Sequence, residues 1–165
     1  MNFIKDHMCF GDADNSPQIR QIGIVVRDIN RSVAYMKEFF GLEPVGYAET
    51  PNSENKTYFG NPEDYMCKMA FYRFGDMDVE LILPVRGRSV WKDFLDSRGE
   101  GVHHIQLWVK HFDTAKNYLE AHGIPMVQSG ESFRYPGAKF GYFDAVDQLG
   151  FYLELFNPEE CGYGR

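Results

Sequence analysis

The stretch "GVHHIQLWV", residues 101–109, decides the fold because a near copy of it, "QIRQIGIVV", stands at residues 18–26. Each reads as a short apolar strand, and each is followed by a helical pattern. "DINRSVAYMKEFFG" follows the first copy. Asp28 or Asn30 can cap a helix whose apolar face takes Val33, Met36, Phe39 and Phe40, and Gly41 sits where a C-cap belongs. "FDTAKNYLEAHG" follows the second, with Asp113 as its cap and Gly123 at its end. Aligned by their apolar positions, the copies put Gln21 over His104 and Tyr35 over Tyr118.

Beyond the first helix, "LEPVGYAET" reads as a strand and residues 51–64 as a polar loop rich in Asn, Pro and Gly. Two strands follow, "YMCKMAFYRF" and "MDVELILPV", joined by a tight turn at Gly75 and Asp76. Residues 86–100 read as a linker with a short helix, since Val90, Phe94 and Leu95 fall on one face. After the second helix come a strand "IPMVQSGE", a loop, and strands near "GYFDAVD" and "FYLELF". Strand, helix and three strands therefore occur twice. The expected class is α+β, with βαβββ modules at about 18–85 and 101–157 in a single domain, 18–157. The linker is 86–100, the leader is 1–17 and the tail is 158–165. Internal repetition outweighs any local propensity.

Composition narrows the function. The 165 residues carry a formal net charge of −7, so no basic stripe exists to neutralise nucleic-acid phosphates. No uncharged apolar run approaches the roughly 20 residues a bilayer span needs. The leader "MNFIKDHMCFGDADNSP" lacks an apolar core of signal-peptide type, and three scattered cysteines fit a reduced, cytoplasmic protein. Aromatic residues, at 16%, suit a bulky core or an aromatic-lined pocket.

Alternation along strands sorts the polar groups. In the second copy His104, Gln106 and Trp108 share one face, and His103, Ile105, Leu107 and Val109 share the other. In the first copy Gln21, Gly23 and Val25 oppose Ile22, Ile24 and Val26. The all-apolar sets must cover the helices, which leaves Gln21 and His104 on the concave face and sends His103 to the helix side. Glu80 stands inside "VELIL" and Glu154 inside "YLELF". Either alone could be a solvated edge residue. Paired at matching ends of two repeats, and costly to bury uncompensated, they join Gln21 and His104 as a ligand set. One imidazole nitrogen and three oxygens suit one divalent ion, such as Zn, Co, Ni or Mn.

These residues, with "IGIVVRDINRSVAYMKEFFGLEPV", "VELILP", "SVWKDFLDSRGEGVHHIQLWV" and "FYLELF", resemble the vicinal oxygen chelate superfamily of glyoxalase I, methylmalonyl-CoA epimerase, extradiol dioxygenases and bleomycin resistance proteins. The resemblance spans roughly residues 18–157. It implies two βαβββ modules paired into a half-barrel that cups a metal site, with Gln21, Glu80, His104 and Glu154 as metal ligands. A Gln, Glu, His, Glu set is similar to the glyoxalase I branch, whereas the linker resembles the methylmalonyl-CoA epimerases and small lyases. The implied activity is a metal-dependent epimerase, isomerase or lyase that abstracts a proton beside a chelated carbonyl, with Glu154 and Glu80 catalytic. The alternatives are a glyoxalase I-type lactoylglutathione lyase or a non-catalytic drug-binding protein of the same fold. The substrate would be a small acyl thioester, 2-oxo acid or hemithioacetal, with neither nucleic acid nor membrane as partner, and the chain a homodimer. Trp108, Tyr152, Phe156 and Lys68 would form the substrate pocket, although Phe156 equally suits packing between modules and Lys68 a solvated position. The loop "ESFRYPGAK", with Arg134, Tyr135 and Lys139, is either solvated or placed to meet an anionic group.

Overall fold

Gln21 lies on the second strand-pairing position of a ten-stranded sheet whose centre is the antiparallel pair formed by the two sequence copies. The computed structural model describes residues 19–51, 54–132 and 134–158. The expected leader and residues 159–165 of the expected tail lie outside them. The strands are β1 (Ile19–Val25), β2 (Gly46–Glu49), β3 (Thr57–Tyr58), β4 (Asn61–Pro62), β5 (Met66–Phe74), β6 (Met77–Arg86), β7 (Gly101–Trp108), β8 (Met126–Glu131), β9 (Lys139–Phe143) and β10 (Tyr152–Phe156). They follow the order β2-β5-β6-β1-β7-β10-β9-β8-β3-β4. β1 runs parallel to β6, β7 runs parallel to β10, and β1 meets β7 antiparallel. The two modules are thus related across the β1/β7 seam, and the mixed sheet curls into the expected half-barrel.

Among the described residues four helices accompany the strands: α1 (Ile29–Phe40), α2 (Val90–Arg98), α3 (Phe112–Ala121) and α4 (Val146–Leu149). Asp28 caps α1 by accepting from the Arg31 N–H at 3.0 Å, and Gly41 ends it at φ 67°, a conformation that favours glycine. α1 covers one module through Val33 and Met36, which pack on Ala70, Tyr72, Val79 and Leu81. Phe39 and Phe40, expected on that buried face, are 69% and 61% exposed. α3 covers the other module through Phe112, Ala115 and Leu119. It begins two residues earlier than expected, with His111 rather than Asp113 as cap residue. A third core fills the concave side, where α2 buries Val90, Trp91 and Leu95 against Ile82, Met69 and Tyr142. Among the described residues no helix is long and apolar enough to cross a membrane.

Three segments depart from the expected order. The strand expected over residues 42–50 is confined to β2. The 51–64 segment, read as loop, contains β3 and β4, and β3 pairs with β8 through Thr57 opposite Ser129 and Tyr58 opposite Gln128. A first-module segment therefore covers the open edge of the second, which removes an exposed strand edge. The one-turn helix α4 separates β9 from β10.

The seam holds the departure that matters most. Ile19 pairs with Leu107 and Gln21 with Gln106, so Arg20 is an extra residue on β1. Gly23 pairs with His104 but Ile24 pairs with Val102, so His103 is an extra residue on β7. Each is a β-bulge, and the repeat aligns Arg20 with His103. A bulge interrupts strict alternation and re-aims its residue. His103, expected on the helix side, is instead fully buried beside His104 among Phe94, Tyr142 and Tyr152.

Candidate functional site

Side-chain alternation from the seam outward brings Gln21 from β1, Glu80 from β6, His104 from β7 and Glu154 from β10 to one place. All four are buried, none being more than 7% exposed. His104 Nε2 lies 3.0 Å from Glu154 Oε2, 3.4 Å from Gln21 Oε1 and 3.8 Å from Glu80 Oε2. The 3.0 Å approach lacks hydrogen-bond alignment, so Glu154 Oε2 is buried without a hydrogen bond. Gln106 Nε2 donates to Gln21 Oε1 at 3.1 Å and fixes that amide with its oxygen toward His104.

The residue opposite His104 on β1 is Gly23. A Cβ there would stand 1.9 Å from His104 Cε1, so the imidazole occupies the space that a side chain would take. Behind the ring, His103 Nδ1 sits 3.1 Å from His104 Nδ1, and Tyr152 stacks on His103 at 4.7 Å. Burial first, and His104 second, hold the His103 pKa well below the usual imidazole range, so this ring is neutral. Burial likewise raises the Glu80 pKa well above the carboxylate range, with the Glu154 and Asp78 charges adding to it. Burial also pushes the Tyr142 hydroxyl up, reinforced by Glu154 and Glu80, and its ring meets that of His104 edge-on at 5.0 Å.

The donor set fits a divalent cation. Bonds of about 2.0–2.2 Å hold neighbouring ligand atoms roughly 3.0–3.5 Å apart, the range spanned by two of the three separations around His104 Nε2. The orphaned Glu154 Oε2 and the oriented Gln21 oxygen both point to that centre. Among the described residues no three His, Cys, Asp or Glu side chains form a metal group by themselves. The Gln21 amide oxygen lies beside His104 Nε2 together with Glu154, and Glu80 stands slightly apart.

Above this cluster lies an open cleft walled by Met69, Phe71, Trp91, Trp108, Phe140 and Phe156, with Gln21, Glu80 and Glu154 on its floor. Trp108 and Phe156 line it as expected from the sequence. Tyr152 does not, since it covers His103 from behind. Lys68 does not either: it projects to the opposite face, half exposed, 3.7 Å from Glu49. Strand alternation explains this, because Cys67 and Met69 are the concave residues of β5 and Lys68 lies between them. Arg134 of the 132–138 loop reaches the rim and donates to Asp78 at 3.2 Å. Reading the sequence assigned no site role to Trp91, Tyr142, Gly23 or Arg20. Of these only Gly23 carried a local signal, a glycine inside an apolar strand.

A mixed half-barrel of two βαβββ modules, with a His, Gln and two Glu side chains gathered across its central seam, defines a class of paired-module proteins. The sequence model of the Glyoxalase/Bleomycin resistance protein/Dioxygenase superfamily matches residues 20–142, and the chain belongs to that superfamily. It is 22% identical over 142 residues to the uncharacterized protein YqjC of Bacillus subtilis, covering 86% of this chain and 93% of that one. Among solved structures it resembles a hypothetical protein from Bacillus halodurans C-125, with TM-score 0.66, 24% identity and coverage of 86% and 94%. It also resembles methylmalonyl-CoA epimerase from Mycobacterium tuberculosis, with TM-score 0.62, 18% identity and coverage of 85% and 87%. A Streptomyces coelicolor methylmalonyl-CoA epimerase in complex with 2-nitronate-propionyl-CoA is similar at TM-score 0.59 and 20% identity, covering 86% and 94%.

Proposed function

We propose that this chain is a divalent-metal-dependent epimerase or isomerase that moves a proton at a carbon beside a chelated carbonyl of a small-molecule substrate. The observation that carries the reading is the gathering of Gln21, Glu80 and Glu154 oxygens within 3.0–3.8 Å of His104 Nε2. Gln21 Oε1, Glu80, His104 Nε2 and Glu154 would hold the ion, which when bound supplies Lewis-acid polarisation of the carbonyl. Superfamily membership and likeness in fold to methylmalonyl-CoA epimerases support the same reading.

Glu154 is the base in this scheme. Its Oε2 carries no hydrogen bond, so once released from the ion it could take the proton without breaking one. Glu80, the carboxyl farther from His104 Nε2 at 3.8 Å, is the group that returns the proton. The two carboxylates come from β6 and β10, on opposite sides of the seam. Return to the other face of the same carbon gives epimerisation, and return to the neighbouring carbon gives isomerisation. The aromatic walls exclude water from the exposed carbanion-like charge. The chain acts as a homodimer in this reading, which light scattering of the purified protein reads directly.

The test is deuterium exchange. Protein loaded in turn with Zn²⁺, Co²⁺, Ni²⁺ or Mn²⁺ is incubated in D₂O with acyl thioesters, 2-oxo acids and hemithioacetals. Exchange beside the carbonyl, lost in Glu154→Gln, is the expected result. Conversion of the hemithioacetal alone would move the chain to the glyoxalase I-type reading. Tight ligand binding without exchange would make it a binding protein.

A further inference from the structure

We propose that Arg20, laid over the indole of Trp108, is an anion-recognition group, and that the substrate carries a small carboxylate a few bonds from the carbon whose proton moves. The bulge at Arg20 turns this side chain into the cleft, next to Gln21, instead of leaving it on the helix side. Its guanidinium lies 4.8 Å from the Trp108 ring centroid, and its Nε is buried without a hydrogen-bond partner. Among the described residues Arg20 forms no ion pair. The other two cleft arginines differ in this respect. Arg73 lies 2.9 Å and Arg134 3.2 Å from the same Asp78 carboxylate.

A partly buried cation without a counter-charge is unfavourable unless something arrives to pair with it. Stacking on an aromatic face leaves the edge of a guanidinium free, and that edge presents paired N–H donors matched to a carboxylate. The platform is also wired to the proposed metal site. Trp108 Nε1 donates to Gln106 Oε1 at 3.0 Å, and Gln106 Nε2 donates to Gln21 Oε1 at 3.1 Å. Trp108 follows Gln106 by one pleat, about 7 Å along β7. The anion would thus sit roughly that far from the chelated oxygens. A dicarboxylic or oxo acid with a chain of about five carbons spans this distance; a neutral acyl group has no use for the charge.

The inference rests on the proton-transfer reading but is measured without turnover, so either can fail alone. Succinate, its neutral diamide and inorganic phosphate are titrated into the metal-free protein, with intrinsic tryptophan fluorescence as readout. Succinate should bind while the diamide does not, and Arg20→Met should weaken succinate by about tenfold or more, with Arg20→Lys between. Lys68→Met should leave the titration unchanged. Equal succinate binding by wild type and Arg20→Met, or none by wild type, would overturn the proposal. Phosphate binding more tightly than succinate would overturn the carboxylate assignment. Thermal melts of each variant separate lost recognition from lost folding.

Discussion

Gly23 and His104 face each other across the β1/β7 seam, and a methyl on Gly23 would lie 1.9 Å from the imidazole Cε1. Glycine in a strand ordinarily weakens it, so alanine should help by up to ~1 kcal/mol on backbone grounds. Here the ring cannot retreat, because it is fully buried against His103 and Tyr142. Overpacking costs about 1–3 kcal/mol and wins. Gly23→Ala should lower the melting temperature and abolish the thermal shift given by added Co²⁺ or Zn²⁺. A variant that melts like wild type and still gains stability from metal would refute this placement of His104.

His103 governs which nitrogen of His104 is free. The two Nδ1 atoms are 3.1 Å apart, so one donates and the other accepts. Neutral His103 can accept from the His104 Nδ1–H, and that tautomer leaves the His104 Nε2 lone pair directed at the carboxylates. Phenylalanine keeps the stack on Tyr152 but cannot accept. His103→Phe should therefore weaken metal binding by about 10–100-fold while the metal-free melting temperature holds or rises. Calorimetric titration with Co²⁺ measures it, and wild-type affinity in the variant would remove His103 from the site.

Much of this was legible from period-two alternation and repetition alone. Gln21, Glu80, His104 and Glu154 occupy concave positions that the apolar residues on either side define, and the structure gathers them within one cluster. His103 and Arg20 escaped that logic because a bulge is a property of the pairing between strands, not of either strand by itself. Lys68 sits on the convex side by the very alternation that placed Glu80. Resemblance alone points it to the pocket; the pattern of β5 does not. β3 and β4 read as loop because two-residue strands exist only through a partner, and theirs lies on β8. Trp91 faces the cleft because α2 lies inside the cup, which no pattern local to residues 86–100 discloses.

Glu80 is a carboxyl 6% exposed inside an apolar strand, with Glu154 as a buried neighbour. Without a cation such a group stores destabilisation, since burying charge near like charge is unfavourable. Glutamine has the same shape and no charge. Glu80→Gln should raise the melting temperature of the metal-free protein and remove most of the stabilisation that added metal gives wild type. Thermal melts with and without Zn²⁺ check both halves. A destabilised metal-free variant would show that the Glu80 carboxyl contributes to folding and not to the site.

Glu100 ties the end of the linker to the first module. It accepts from the Arg27 N–H at 2.7 Å and pairs with the Arg31 guanidinium at 2.5 and 2.7 Å. The Arg27 N–H foremost, then Arg31, hold its pKa below the usual carboxylate value. A carboxylate whose folded pKa is depressed adds stability above the unfolded pKa, and that stability disappears as pH falls through the folded value. The window therefore opens near pH ~4.5 and extends downward. Because both side chains are about a third to a half exposed, the contribution is only about 0.2–1 kcal/mol. Glu100→Gln should lower the melting temperature at pH 7 by about 1–4 °C, and the gap from wild type should close on acidification below pH ~4. Added salt should narrow it as well, since exposed pairs are screened. A gap that persists unchanged at pH 3 would assign the effect to packing of the linker and not to this ion pair.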